Sequence, residues 1–153
     1  MATTIDTGFS AEDRAEVAAG LSRLLADTYA VYLKTHGYHW NVRGMNFHAL
    51  HAMFMEQYTE MWTAIDTIAE RIRALGQFAP QGYAAFDKLS GIKDGDPAQD
   101  AAGMLRELAA DHETLIATAK AAREGADDVT AAVIDARVEA HQKYAWMLKA
   151  SLG

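Results

Sequence analysis

The sequence predicts an all-α domain: a four-helix bundle with one short helix in the connection between the second and third long helices. Three observations carry this reading. Apolar residues recur at steps of three and four through four long segments. The β-branched residues are scattered and never alternate as they do in strands. The only two prolines, Pro80 and Pro97, fall at segment boundaries.

The first helix is expected to start near Ser10, with Asp13 three residues on as a capping partner. Its stripe is Val17, Leu21, Leu24, Leu25, Thr28 and Val31 or Tyr32, and it is expected to end near Gly37. The second begins after Gly44 with Asn46 as its cap. It carries the clearest stripe in the chain: Phe47, Leu50, Phe54, Met61, Ile65, Ile68, Ile72 and Leu75. Gly76 is its stop. Loop signals follow, around a short helix at Tyr83–Leu89. Asp96-Pro97 reads as a cap followed by a first-turn proline, and so as the start of the third long helix. That helix runs through Met104, Leu105, Leu108, His112, Leu115 and Ala119 to "REGADD". The last starts near Asp127 or Asp128 and carries Val133, Ile134, Tyr144, Met147 and Leu148. Four long helices with one longer middle connection suggest a bundle with a crossover.

The 153 residues form one domain, 1–153, long enough to bury a core, with residues 1–9 as a flexible tail. Half the residues are hydrophobic, but no apolar run reaches the length of a membrane span. The beginning of the chain lacks the basic-then-apolar pattern of a secretory signal. The absence of cysteine excludes disulfides, thiolate metal sites, iron–sulfur clusters and cysteine nucleophiles. The cytoplasm, nucleoid included, is the expected location. A net charge of −7 disfavours general nucleic-acid binding, which Lys and Arg drive, and suits cations better.

Four of the six histidines fall in "THGYHWNVRGMNFHALH", as two i, i+3 pairs, His36/His39 and His48/His51, around a break at "NVRG". A bundle can hold a di-metal site in its core, but that site needs Glu-x-x-His on two helices. Here no Glu has a His three residues later: Glu60, Glu113 and Glu139 are followed by Thr63, Ile116 and Gln142. The other acidic candidates are Asp66 and Glu70, which share a helix face at i, i+4. Imidazole with carboxylate suits iron or zinc. His51 and Asp66 lie fifteen residues apart on one helix, roughly 22 Å at 1.5 Å per residue, so one chain cannot bring both to one ion. Two second helices running antiparallel about a dyad near residues 58–60 would do so, and a two-fold interface would make that contact twice. The same residues also have a structural reading, with histidines capping helix-end carbonyls and the acids on a solvated face.

The stretch "YLKTHGYHWNVRGMNFHALHAMFMEQY", then "AIDTIAERIRALG", closely resembles the Dps miniferritins, the DNA-binding proteins from starved cells. "HQKYAWML" is similar to the end of that family's last helix, and the resemblance runs from about Leu21 to Leu148. It implies a ferritin-like four-helix bundle in a hollow shell of twelve chains, with ferroxidase sites between two-fold-related subunits. His39, His51, Asp66 and Glu70 match the iron ligands. Trp40 matches a tryptophan beside the site that accepts oxidising equivalents. The reaction implied is oxidation of two Fe(II) to Fe(III) at each inter-subunit di-iron site, preferably by hydrogen peroxide. Ferric mineral stored in the cavity would spare the cell hydroxyl radicals and so protect it from oxidative stress.

The chain departs from the family pattern in three places. Met55 stands where Asp or Glu is common, four residues after His51, and its thioether is a poor partner for hard iron. The first thirteen residues hold no Lys or Arg, so DNA binding by a tail is not expected. Of the acids near the start of the last helix that would line an iron-entry pore, Asp127, Asp128 and Asp135 are present, but Ala132 replaces one. Negative potential at a pore draws ferrous ions in; Asp127 and Asp128 read equally as helix-start carboxylates favoured by the dipole.

His36 and His48 are expected outside the main site, and His112 and His141 as hydrogen-bonded core or interface histidines. Trp62, Trp146, Met53 and Met61 read as packing; Tyr38 and Tyr58, near the expected site, have two readings, radical acceptors or packing, and packing is preferred. Arg71 reads as an ion-pair partner for Glu70 or another acid. An alternative to the ferroxidase is a structural or nucleoid-associated shell with a weakened metal site, which Met55 favours. The full set His39, His51, Asp66 and Glu70 favours the ferroxidase. Nothing specific supports a zinc- or manganese-binding regulator.

Overall fold

The computed structural model describes residues 3–153; Met1 and Ala2, the beginning of the expected tail, lie outside them. Among the described residues are five helices and no strand: α1 (Ala11–Asn41), α2 (Phe47–Ala74), α3 (Tyr83–Leu89), α4 (Ala101–Arg123) and α5 (Asp128–Ala150). The fold is all-α, as the apolar stripes require.

Contacts along the helices fix their directions. As α1 advances through Gly20, Asp27, Lys34 and Tyr38, its partners on α4 retreat through Ala122, Thr118, Asp111 and Glu107. The α1–α4 pair is therefore antiparallel. The same holds for α4 with α5, through His112–His141 and Arg123–Asp135, and for α2 with α5, through Glu60–Arg137 and Arg71–Asp127. A five-residue turn makes α1 and α2 an antiparallel hairpin. It follows that α2 and α4 run parallel, so the segment joining them must travel the length of the bundle. This is the crossover, and α3 lies within it.

One buried carboxylate pins the crossover. Asp27 is 2 % exposed. It accepts hydrogen bonds from the Ser90 hydroxyl (2.8 Å) and the Gly91 N–H (2.9 Å) on one oxygen, and from the Thr118 hydroxyl (2.7 Å) on the other. Phe86 of α3 stacks on Tyr29 of α1 at 5.1 Å. At Gly20 a Cβ would lie 3.1 Å from the Ala122 backbone, so a side chain there would push α1 and α4 apart.

Three helix ends differ from the sequence expectation. Helix α1 does not end near Gly37 but continues to Asn41, because a single glycine costs only about 1 kcal/mol and His39 and Tyr38 beyond it are anchored. Helix α4 starts at Ala101, not at Asp96-Pro97. The Asp96 side chain closes a turn by accepting from the Ala98 N–H (2.9 Å), and Asp100 supplies the cap, accepting from Gly103 at 2.7 Å. Asn46 occupies the cap position of α2 but makes no side-chain cap bond. The Ser10–Asp13 capping pair forms as expected (3.1 Å).

The core falls into two apolar blocks. One holds Leu21, Leu24, Leu25, Val31, Met61, Ile65, Ile68, Leu115 and Ile134. The other holds Tyr38, Leu50, Phe54, Leu105, Leu108 and Leu148. Between them every long helix places a buried polar side chain: Thr35 on α1, Gln57 on α2, His112 on α4 and His141 on α5. Truncating Phe54, which is fully buried, to Ala should cost roughly 3–5 kcal/mol in chemical denaturation. A loss under 1 kcal/mol would show that the second block is not a packed core.

Candidate metal centre

The α1–α2 turn brings His39 and His51 face to face. Their rings stack at 3.7 Å between centroids, 13° apart. The His39 Nδ1–H donates to the His51 carbonyl at 2.6 Å, and the His51 Nδ1–H donates to the His39 carbonyl at 2.6 Å. A carbonyl only accepts, so both imidazoles carry their proton on Nδ1. In a neutral imidazole so held the lone pair is on Nε2, the atom with which histidine binds a metal, and the backbone holds the ring as an outer-shell partner would. The carbonyl of His39 lies in the last turn of α1, where helix carbonyls lack intrahelical partners, so the pairing also finishes the helix.

Asp66 and Glu70 lie on the exposed face of α2. The structure does not bring them to the histidines of the same chain, as fifteen residues of helix demand. Among the described residues no three His, Asp or Glu side chains gather in metal-holding reach. Met55, half-exposed at 51 %, follows His51 by one turn on the same outer face.

Rings surround the histidine pair. Tyr58 stands edge-on to His39 at 5.2 Å, and Phe47 stacks on His51 at 5.0 Å. His36 lies between Trp40 (4.2 Å) and Tyr58 (4.4 Å), while His48 is exposed. Tyr38 points elsewhere: it is buried and donates to Glu107 at 2.7 Å. Trp62 and Trp146 are not core packing in this chain. They are 55 % and 66 % exposed, on outer helix faces where the apolar stripe does not reach.

The acids at the start of α5 separate by partner. Asp127 is the α5 N-cap and pairs with Arg71 at 2.9 Å, so Arg71 holds this acid and not Glu70. Burial opposes the charge on Asp127, but its bonds to Thr130 and the Arg71 guanidinium outweigh that and hold the carboxyl below its ordinary range. Asp135 is held by Arg123 at 2.7 and 3.2 Å. Asp128 is exposed.

The interior polar layer is organised around an arginine. Arg137 donates to both oxygens of Glu60 (2.5 and 2.9 Å) and to Nε2 of His141 (3.0 Å), while Tyr144 donates to Glu60 (2.7 Å). A guanidinium has no acceptor, so Nε2 of His141 is unprotonated and its Nδ1–H donates to Nδ1 of His112 at 2.8 Å. The proton of His112 is then on Nε2, which has no partner among the described residues, as is true of both amide atoms of Gln57. A positive side chain thus sits among the carboxylate, phenol and imidazoles of the bundle interior, where a core metal site would need an ion. Sequence reading found the missing Glu-x-x-His; it did not find this arrangement, whose partners lie on three separate helices.

Comparison with known proteins agrees with this geometry. Residues 18–153 match the ferritin-like domain family. The chain is 38 % identical over 140 residues to the DNA protection during starvation protein of Brevibacillus brevis, covering 89 % of this chain and 94 % of that one. The solved Dps structure from Bacillus brevis superposes with a TM-score of 0.90 at 36 % identity, over 95 % of this chain and 100 % of that one. That of Vibrio cholerae O1, described as one of the ferritin-like diiron-carboxylate proteins, gives 0.92 at 31 % identity over 100 % and 98 %. The match over residues 18–153 and the shared crossover bundle make this chain a ferritin-like protein. Within that class the chain belongs to the Dps miniferritin family. Membership supports iron storage and protection as its role. Among the described residues no helix is long and apolar enough to cross a membrane.

Proposed function

We propose that this chain is a ferroxidase that oxidises Fe(II) to Fe(III), preferably with hydrogen peroxide, and stores the ferric product in a twelve-chain shell. The observation that carries this reading is the reciprocal His39–His51 pairing, which engages both Nδ1 atoms with backbone carbonyls and leaves Nε2 of each ring for a metal. Asp66 and Glu70 of a two-fold partner supply the carboxylates. Iron here is substrate and cargo. The imidazoles hold Fe(II), and hard carboxylate oxygens favour the more highly charged Fe(III), so the donor set pulls the reaction toward oxidation. Trp40, 64 % exposed beside His39, is placed to take up stray oxidising equivalents.

Among the entry acids, Asp127 is engaged with Arg71 and Asp135 with Arg123; we assign ferrous entry to Asp128. The acidic charge of −7 per chain favours cations at this surface. No tail-borne DNA contact is proposed, and the cytoplasm, nucleoid included, is the proposed location.

An anaerobic Fe(II) titration of the oligomer, then peroxide with ferric absorbance followed, tests the reading. Saturable binding and oxidation well above a protein-free blank are expected. Neither appearing would leave the second reading, a shell without chemistry, which Met55 favours. Met55→Asp should raise the iron bound from one to two per site, because it restores a hard ligand one turn from His51. An unchanged endpoint in that variant would show that Met55 does not limit occupancy.

A further inference from the structure

We infer that a line of aromatic rings within each chain relays electrons between the two iron sites of a dimer; this rests on the ferroxidase reading above. Trp40 lies 4.2 Å from His36, His36 4.4 Å from Tyr58, Tyr58 5.9 Å from Tyr32, and Tyr32 5.7 Å from Trp62. The line begins at the histidine half-site, where Tyr58 meets His39 at 5.2 Å. It ends at Trp62, four residues before Asp66 and therefore on the same exposed face of α2 as the carboxylate half-site. One chain's two half-sites belong to different iron sites in the dimer. The relay accordingly joins those sites, and the dyad supplies it twice.

Tyrosine and tryptophan are the side chains in this line that can lose and regain one electron, and rings in near contact let the vacancy pass between them. His36 is the spacer between Trp40 and Tyr58. The need for such a path comes from Met55. With a soft side chain where a hard ligand is wanted, each site holds one iron firmly. Hydrogen peroxide takes two electrons, and a single Fe(II) gives one. The iron at the reacting site supplies the first. The second comes from the Fe(II) of the other site through Trp62, Tyr32, Tyr58 and Trp40 as the vacancy travels the opposite way. Each tyrosine releases its phenol proton when oxidised and recovers it when reduced. The O–O bond breaks, two protons are taken up, and two Fe(II) with one peroxide give two Fe(III) and two waters. No hydroxyl radical leaves the site.

The test loads the whole oligomer anaerobically with one Fe(II) per site and adds one peroxide for every two irons. All the iron should be oxidised promptly, with a transient tyrosyl signal in electron paramagnetic resonance and no hydroxyl spin-trap adduct. Tyr32→Phe keeps the ring but removes the oxidisable phenol. It should bind Fe(II) like the parent and oxidise about half the iron in the fast phase by that electron count, with the vacancy stranded on Tyr58 as a long-lived tyrosyl signal in place of the parent's transient one. Trp62→Phe should act the same way, while Tyr29→Phe, which touches Tyr32 at 5.8 Å but lies off the line, should match the parent. Tyr32→Phe and Trp62→Phe both matching the parent would overturn the relay. Failure of the parent to bind Fe(II) in the loading step would overturn the ferroxidase reading instead, before any peroxide is added.

Discussion

Stability of the bundle should fall steeply between pH 6.5 and 4.5, and His112 and His141 should be the cause. Both are fully buried. Burial pushes the His112 imidazole down to about 3, with the Arg137 charge adding to the effect. Burial, His112 and Arg137 together push His141 well below its ordinary value. The groups facing the pair are Arg137 and Tyr144 on α5 and Glu60 on α2. In the unfolded chain both imidazoles titrate near 6.5. Because the folded values are depressed, the unfolded state binds more protons as pH falls. Stability is therefore complete above about pH 6.5 and is lost below it. A histidine kept neutral in the fold costs roughly 1.4 kcal/mol per pH unit below that point, so His112 alone costs about 2 kcal/mol by pH 5 and His141 adds to it in the same direction. Together that is a substantial part of the roughly 5–15 kcal/mol a domain possesses. Urea midpoints measured from pH 8 to 4.5 check it, and a flat profile from 7 to 5 would mean the pair is not held neutral. Nitrogen chemical shifts give a second reading: His141 should carry its proton on Nδ1 and His112 on Nε2.

Asp66→Ala should abolish fast iron oxidation and leave the oligomer whole. Asp66 is exposed on α2, so its removal should change stability by less than about 0.5 kcal/mol. Asp66 is a proposed iron ligand, so its loss should weaken binding by at least the ~10–100-fold that loss of an outer-shell partner costs. Stopped-flow absorbance after peroxide reads the rate, and size-exclusion with light scattering reads the assembly. Fast oxidation surviving in an intact oligomer would remove Asp66 from the site.

Much of this molecule is legible along one helix at a time. The stripes from Val17 to Leu25 and from Leu50 to Leu75 name the buried faces, because burial follows the 3.6-residue period. His39 and His51 flank a short turn, so their pairing follows from local geometry. The end of α1 was harder to read. Gly37 resembles a stop, yet its cost is small beside the anchoring of Tyr38 and His39. Asp96-Pro97 and Asp100 both offer cap chemistry, and only the closed turn at Ala98 decides between them. The polar layer of Gln57, His112, Arg137 and His141 was not legible, since the sequence does not say which helices adjoin at that level. The outward placement of Trp62 escaped for a related reason: a large ring suggests a core, and only the finished bundle shows the core already filled.

The division of the core into two blocks bears on how the bundle breathes. The apolar seam is interrupted at mid-height by Gln57 and the histidine pair, so packing cohesion does not run unbroken from end to end. Amide protons near Leu21 and Ile68 and those near Phe54 and Leu105 should exchange as two cooperative units, with separate opening free energies. The end that carries the proposed half-site of His39 and His51 can then loosen while the far end, clamped by Gly20 on Ala122, keeps the helices in register.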